Sequence, residues 1–267
     1  MSYLHSRPQQ PDQQNRIQHI TPESANWEYV GFEVLTLSAG EQQQFLTEQT
    51  EVCAVIVSGK VDISTQQQHY PNLGERASVF DNIAPFAVYA PPSETITIKA
   101  NTDAEIALCR APATGKYPVR LITPDDCVSM VRGEGTNTRH ITNIMMDNVN
   151  AEKLLITEVI TPNGHWSSYP PHKHDTDALP NETALEETYY HKFNPQQGFA
   201  FQRVYTDDRS IDETICVEQN SVVMVPEGYH PVGASHGYDL YYLNVMAGPK
   251  REWVFHNDPA HEWMLKK

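Results

Sequence analysis

The run Pro170-Pro171-His172-Lys173-His174-Asp175 places two histidines two residues apart. On a strand such residues share a face, so both imidazoles can converge on one ion. Taken alone, this spacing equally describes two surface histidines in a polar loop. Two further residues change that. Glu187 opens a strand-like run, Glu187-Thr188-Tyr189-Tyr190-His191, and His230 follows the turn Val225-Pro226-Glu227-Gly228-Tyr229. Three imidazoles and one carboxylate suit a single divalent ion, Zn, Mn, Fe, Co or Ni, and ligand softness alone does not choose among them. Glu186 is the adjacent alternative for the carboxylate; Glu187 is preferred because Tyr189 and His191 then lie on its face. No comparable set occurs in the first half, where His69 is the only histidine between residues 20 and 139.

Positioning these groups requires strands. Short β-rich runs recur along the chain, bounded by Gly, Pro, Asn or Asp. They include 32–37, 52–57, 61–64, 95–100 and 105–109 in the first half, and 153–160, 187–191, 199–205, 221–225 and 238–246 in the second. Ser58-Gly59-Lys60 reads as a hairpin turn between two of them. Nineteen prolines oppose long helices. The pattern predicts an all-β fold of two antiparallel barrels in tandem. The break is expected near residues 111–135, giving an N-terminal barrel over 1–115 without metal ligands and a metal-binding barrel with a tail over 116–267. The tail should hold a short helical turn, and residues 1–25 an arm or an ordered edge.

The 267 residues suffice for a core without covalent staples. A net charge of −15 and a pI of about 5.1 disfavour nucleic acid and anionic membrane surfaces as partners. No signal-like apolar segment or membrane span is visible, so a cytoplasmic location is expected. Cys53, Cys109, Cys127 and Cys216 are scattered and read as buried thiols. An acidic small-molecule substrate stays compatible with the net charge, because a site can be locally positive, and edge strands allow a homo-oligomer.

The order His-x-His, Glu, then Pro-x-Gly followed by His resembles the metal motifs of the cupin superfamily. The chain departs from that pattern in the long loop between His174 and Glu187 and in a second motif one residue short. Leu185–His191, Gly198–Asp208, Val225–Val232 and Gly237–Pro249 are similar to 5-deoxy-glucuronate isomerases of inositol catabolism. Val79-Phe80-Asp81 and Val88-Tyr89-Ala90-Pro91 resemble that family's N-terminal barrel more loosely. The resemblance implies a bicupin that interconverts the aldehyde 5-deoxy-glucuronate and the ketone 5-dehydro-2-deoxy-gluconate. On that basis His191 and Glu227 are candidate bases, and Tyr189, Tyr241 and Tyr242 candidate acids. Arg203 is the expected carboxylate ligand, with Gln202 and Lys173 as further substrate contacts, although Lys173 should face away from its two neighbours. Competing readings are an isomerase of another deoxy-uronate such as 5-keto-4-deoxyuronate, an Fe(II) dioxygenase, and a sugar-binding barrel without catalysis.

Overall fold

The computed structural model describes residues 2–265 and divides into two compact β units. The first comprises Pro8–Val128 and Thr142–Ile156. Its six-stranded antiparallel sheet runs in the order Arg120–Ile122, Ala87–Ala90, Thr50–Ser58, Ala104–Pro112, Gly31–Leu37 and Arg16–Ile20. A four-stranded sheet runs Gln42–Leu46, Thr95–Ala100, Val61–Ser64 and His69–Leu73. Alternate residues of both sheets, including Val52, Ala54, Ile56, Ile63, Ile96, Ile98, Ile106 and Leu108, fill one apolar core. Period-two alternation puts them on one face of each strand.

The Ser58-Gly59-Lys60 turn is not a hairpin. The strands on either side lie in different sheets, so the turn is a corner. Gly59 has φ +85°, and a Cβ there would lie 2.3 Å from the Asp103 carbonyl oxygen. The corner therefore needs glycine.

The second unit comprises Met1–Arg7, Ser129–Ile141 and Thr157–Lys267. Its larger sheet runs His5–Ser6, Val222–Val225, Glu186–Asn194, Asp239–Ala247, Leu155–Thr161, Arg139–Met145 and Val128–Arg132, of which 128, 142–145 and 155–156 are counted with the first unit. A four-stranded sheet runs Trp166–Ser167, Val232–Ala234, Phe199–Tyr205 and Asp212–Glu218. Leu4, Val159, Tyr189, Phe193, Val204, Val217, Val223, Val232, Leu240 and Tyr242 pack between the sheets. His172–Lys173 pairs with His256–Asn257, which brings the tail against the histidine pair. The tail ends in a 3-10 turn over Glu262–Leu265.

Two expectations need adjustment. The units do not part at residue 115: the first continues to Val128 and also takes Thr142–Ile156. The four thiols are not uniformly buried, since Cys127 is half-buried and Cys216 exposed. Among the described residues no helix is long and apolar enough to cross a membrane.

Candidate metal centre and its cavity

The Glu186–Asn194 strand is the backbone of the site. Its odd-numbered residues Glu187, Tyr189, His191 and Phe193 share a face, and the register Glu187↔Met246, Tyr189↔Asn244, His191↔Tyr242 fixes their neighbours on the Asp239–Ala247 strand. His172 and His174 come from the segment that pairs with the tail, and His230 from the turn after Val222–Val225.

His172, His174 and His230 are buried and could hold a metal: their ligand atoms lie within 4.8 Å of one another. Glu187 joins them, with Oε2 3.3 Å from His174 Nε2 and 3.1 Å from His230 Nε2. Glu186, on the other face, does not. The tautomers follow from the outer partners. His230 Nδ1 lies 2.8 Å from the Gly228 carbonyl oxygen, and His174 Nδ1 lies 3.2 Å from that of Leu185. A carbonyl only accepts, so both Nδ1 atoms carry the proton and both Nε2 lone pairs point inward. His174 Nε2, His230 Nε2 and Glu187 Oε2 are buried and satisfied by no hydrogen bond. Three orphaned acceptors aimed at one point are costly without a cation, and a divalent ion satisfies all three.

Charge in the cluster follows burial. Burial pushes His172 well below the ordinary imidazole range, with His230 and His174 adding to the effect. Burial lowers His230 too. For His174 burial acts downward, but the Glu187 carboxylate outweighs it and the net direction is up. For Glu187 burial acts upward, while His230 and His174 bring it down overall.

Beside the centre stand two phenols. Tyr189 and Tyr242 rings are 4.8 Å apart, and Tyr189 is 5.7 Å from the His230 ring. Tyr242 Oη pairs with Ser167 Oγ at 2.6 Å, and Tyr189 Oη with Ser168 Oγ at 3.0 Å. Burial drives both phenols up, Tyr189 well above its usual value, so both stay protonated at neutral pH.

His172 borders a cavity of about 810 Å³. Its other walls include Arg132, Arg139, Tyr169, Trp253, Phe255 and Asn257. Phe255 lies 4.7 Å from the His172 ring.

Several expected site residues lie elsewhere. Arg203 is on the outer face of its strand, paired through two 2.8 Å contacts with Asp212 and stacked 4.2 Å over Tyr205. Strand alternation sends its neighbour Gln202 inward instead, and Gln202 is fully buried with Oε1 unpartnered. Tyr241 faces away from Tyr242 and donates to Glu158 at 3.0 Å. Glu227 is exposed on the turn. Lys173 points away from its flanking histidines, as alternation requires, and is tied to Asp175 and Glu182. His191 is buried beside Tyr189, both ring nitrogens unpartnered, and burial lowers its pKa to about 3.

The sequence reading missed Arg132, Arg139, Trp253 and Phe255. Arg132 sits in the 111–135 stretch read as the break between halves, Arg139 lies just beyond it, and Trp253 and Phe255 sit in a tail without motif spacing. The only available signal was the density of aromatic residues between Trp253 and Trp263.

Residues 3–264 match the KduI/IolB family. A 5-deoxy-glucuronate isomerase from Geobacillus kaustophilus is 51% identical over 256 residues, covering 96% of this chain and 93% of its own. The crystal structure of an IolB-like protein from Salmonella typhimurium LT2 superposes with a TM-score of 0.95 at 47% identity, covering 98% of this chain and 99% of that one. The oxalate decarboxylase of Lactobacillus farciminis shares the tandem cupin fold, with a TM-score of 0.69 at 12% identity over 100% of this chain and 91% of its own.

Proposed function

The chain belongs to the KduI/IolB family, and from that premise we propose that it is a metal-dependent isomerase of 5-deoxy-glucuronate, acting in inositol catabolism to give 5-dehydro-2-deoxy-gluconate. The observation that carries metal dependence is the convergence of three buried, unsatisfied acceptor atoms from His174, His230 and Glu187 beside His172.

The reaction moves hydrogen between adjacent carbons. The C2 proton leaves, C1 gains one, and the hydrogen of the C2 hydroxyl passes to the C1 oxygen. A divalent ion held by His172, His174, Glu187 and His230 would supply Lewis acidity, stabilising negative charge as it develops on those oxygens. Zn or Mn suits the three-nitrogen, one-oxygen donor set. The protein's own part is proton handling and exclusion of water. Tyr242 and Tyr189, whose hydroxyls pair with Ser167 and Ser168, would donate to a substrate oxygen, a role supported by those contacts and by their burial.

Loss of the aldehyde signal of 5-deoxy-glucuronate tests the reading. Activity should disappear on chelation and return with Zn or Mn. An H174A or H230A variant should lose both bound metal and turnover. Full turnover by metal-stripped protein would refute the metal-dependent mechanism.

A further inference from the structure

With Arg203 turned outward, the cavity beside His172 has to be read for another anion anchor. Two guanidinium groups line it, Arg132 and Arg139. They flank one hairpin: Arg132 ends the Val128–Arg132 strand and Arg139 begins Arg139–Met145, neighbours in the sheet. The turn between them is tightly built. Gly133 has φ +80°, and a Cβ there would lie 2.1 Å from the Asn137 carbonyl oxygen.

Arg139 Nη1 donates to the Asn137 carbonyl at 3.1 Å and to that of Tyr169 at 3.3 Å. These bonds fix the guanidinium plane and leave Nε and Nη2 free to donate. Among the described residues neither arginine has an acidic partner within ion-pair distance. This is unusual in a chain with 34 acidic and 19 basic residues. Among the described residues Glu134 is the one carboxylate on the cavity wall, and it is exposed. A half-buried guanidinium with a fixed plane and spare donors is suited to a bidentate carboxylate.

The path from the metal cluster to this charge is apolar. Phe255 stands 4.7 Å from His172, Trp253 5.0 Å from Phe255, and the Arg132 guanidinium 5.3 Å over Trp253. A linear uronic acid has the matching order. Its aldehyde and C2 hydroxyl belong at the metal, its carboxylate at the far end, and in the 5-deoxy sugar a methylene adjoins that carboxylate.

We propose that Arg139, with Arg132, binds the substrate carboxylate, and that the Phe255–Trp253 wall receives the neighbouring methylene. The assignment of aldehyde and carboxylate ends rests on the isomerase reading above. The charge requirement does not, and it is tested separately by binding.

The experiment is calorimetric titration of metal-loaded protein with D-glucuronate and with D-glucose, beside kinetics on 5-deoxy-glucuronate. Wild type should prefer glucuronate. R139Q should lower glucuronate affinity at least tenfold and raise KM by a similar factor, with bound metal unchanged. R139K should recover part of the loss, and R132Q should show a smaller one. If R139Q fails to fold, R132Q and R139K decide. Equal wild-type binding of the two sugars, or unchanged glucuronate affinity in both R139Q and R132Q, would overturn the proposal. Absence of isomerase activity in wild type would instead remove the catalytic reading, and the glucuronate contrast would still judge the arginines.

Discussion

Tyr189 and Tyr242 are the residues whose chemistry depends most on their second partners. Each phenol bonds a serine, and burial keeps each protonated. Removing one hydroxyl should therefore cost rate rather than assembly. Y242F is expected to lower kcat by roughly 10²-fold, the scale of a lost acid–base group, with KM and metal content little changed. Steady-state kinetics with metal analysis checks this, and a selective rise in KM would make Tyr242 a binding residue instead. R203A should leave both constants at wild-type values, because its guanidinium is committed to Asp212 on the outer face. The same alternation that made His172, His174 and Glu187 legible in the sequence also separates Gln202 from Arg203 and Tyr242 from Tyr241. It was not decisive there because Tyr241 and Tyr242 are both buried, so residue type alone does not tell inside from outside. Arg139 had no local signal at all: one of its two carbonyl partners, Tyr169, lies 30 residues away.

At the scale of elements, strand positions were legible because β-branched runs between turn residues need no long-range information. The run read as 199–205 is the observed Phe199–Tyr205, and 61–64 is Val61–Ser64. Pairing was less legible. Gly59 looked like a hairpin turn and is a corner, a distinction set by which sheet the next strand joins. Gly133 is the opposite case, a glycine read as part of a break that shapes the Arg132–Arg139 hairpin. G133A introduces a Cβ into the Asn137 carbonyl oxygen at a backbone angle that L-residues avoid. It should cost about 1–3 kcal/mol of stability where the strain cannot relax. Its kinetic effect should fall on KM, with metal content retained, since the hairpin carries arginines and not metal ligands. Thermal unfolding and metal analysis together measure this. Loss of metal in G133A would mean that the hairpin supports the centre itself.

For the whole chain, the least legible feature was which residues group together. Residues 142–156 were read as part of the second barrel, yet Thr142–Ile156 belongs to the first unit. Two carboxylates within that unit explain why. Buried Glu51 accepts the backbone N–H groups of Glu152, Lys153 and Leu154 at 2.7–2.8 Å, and the Tyr89 hydroxyl at 2.9 Å. Glu152 in turn accepts the N–H groups of Thr114, Gly115 and Lys116. These partners lie 36 to 103 residues apart, so no periodicity could announce them. The second lock has a pH signature. Burial alone would raise Glu152, but its hydrogen bonds from Thr114, Lys116 and Gly115 outweigh it and hold the pKa at about 2. The folded value lies below the ordinary 4.5, so the folded state favours the carboxylate. That stability is present above about pH 4.5 and is lost as pH falls toward 2. Denaturant unfolding of wild type and E152Q between pH 7 and pH 2 should show the largest gap at neutral pH, closing through that window. A gap independent of pH would mean that the 114–116 loop is held by shape and not by the charge of Glu152.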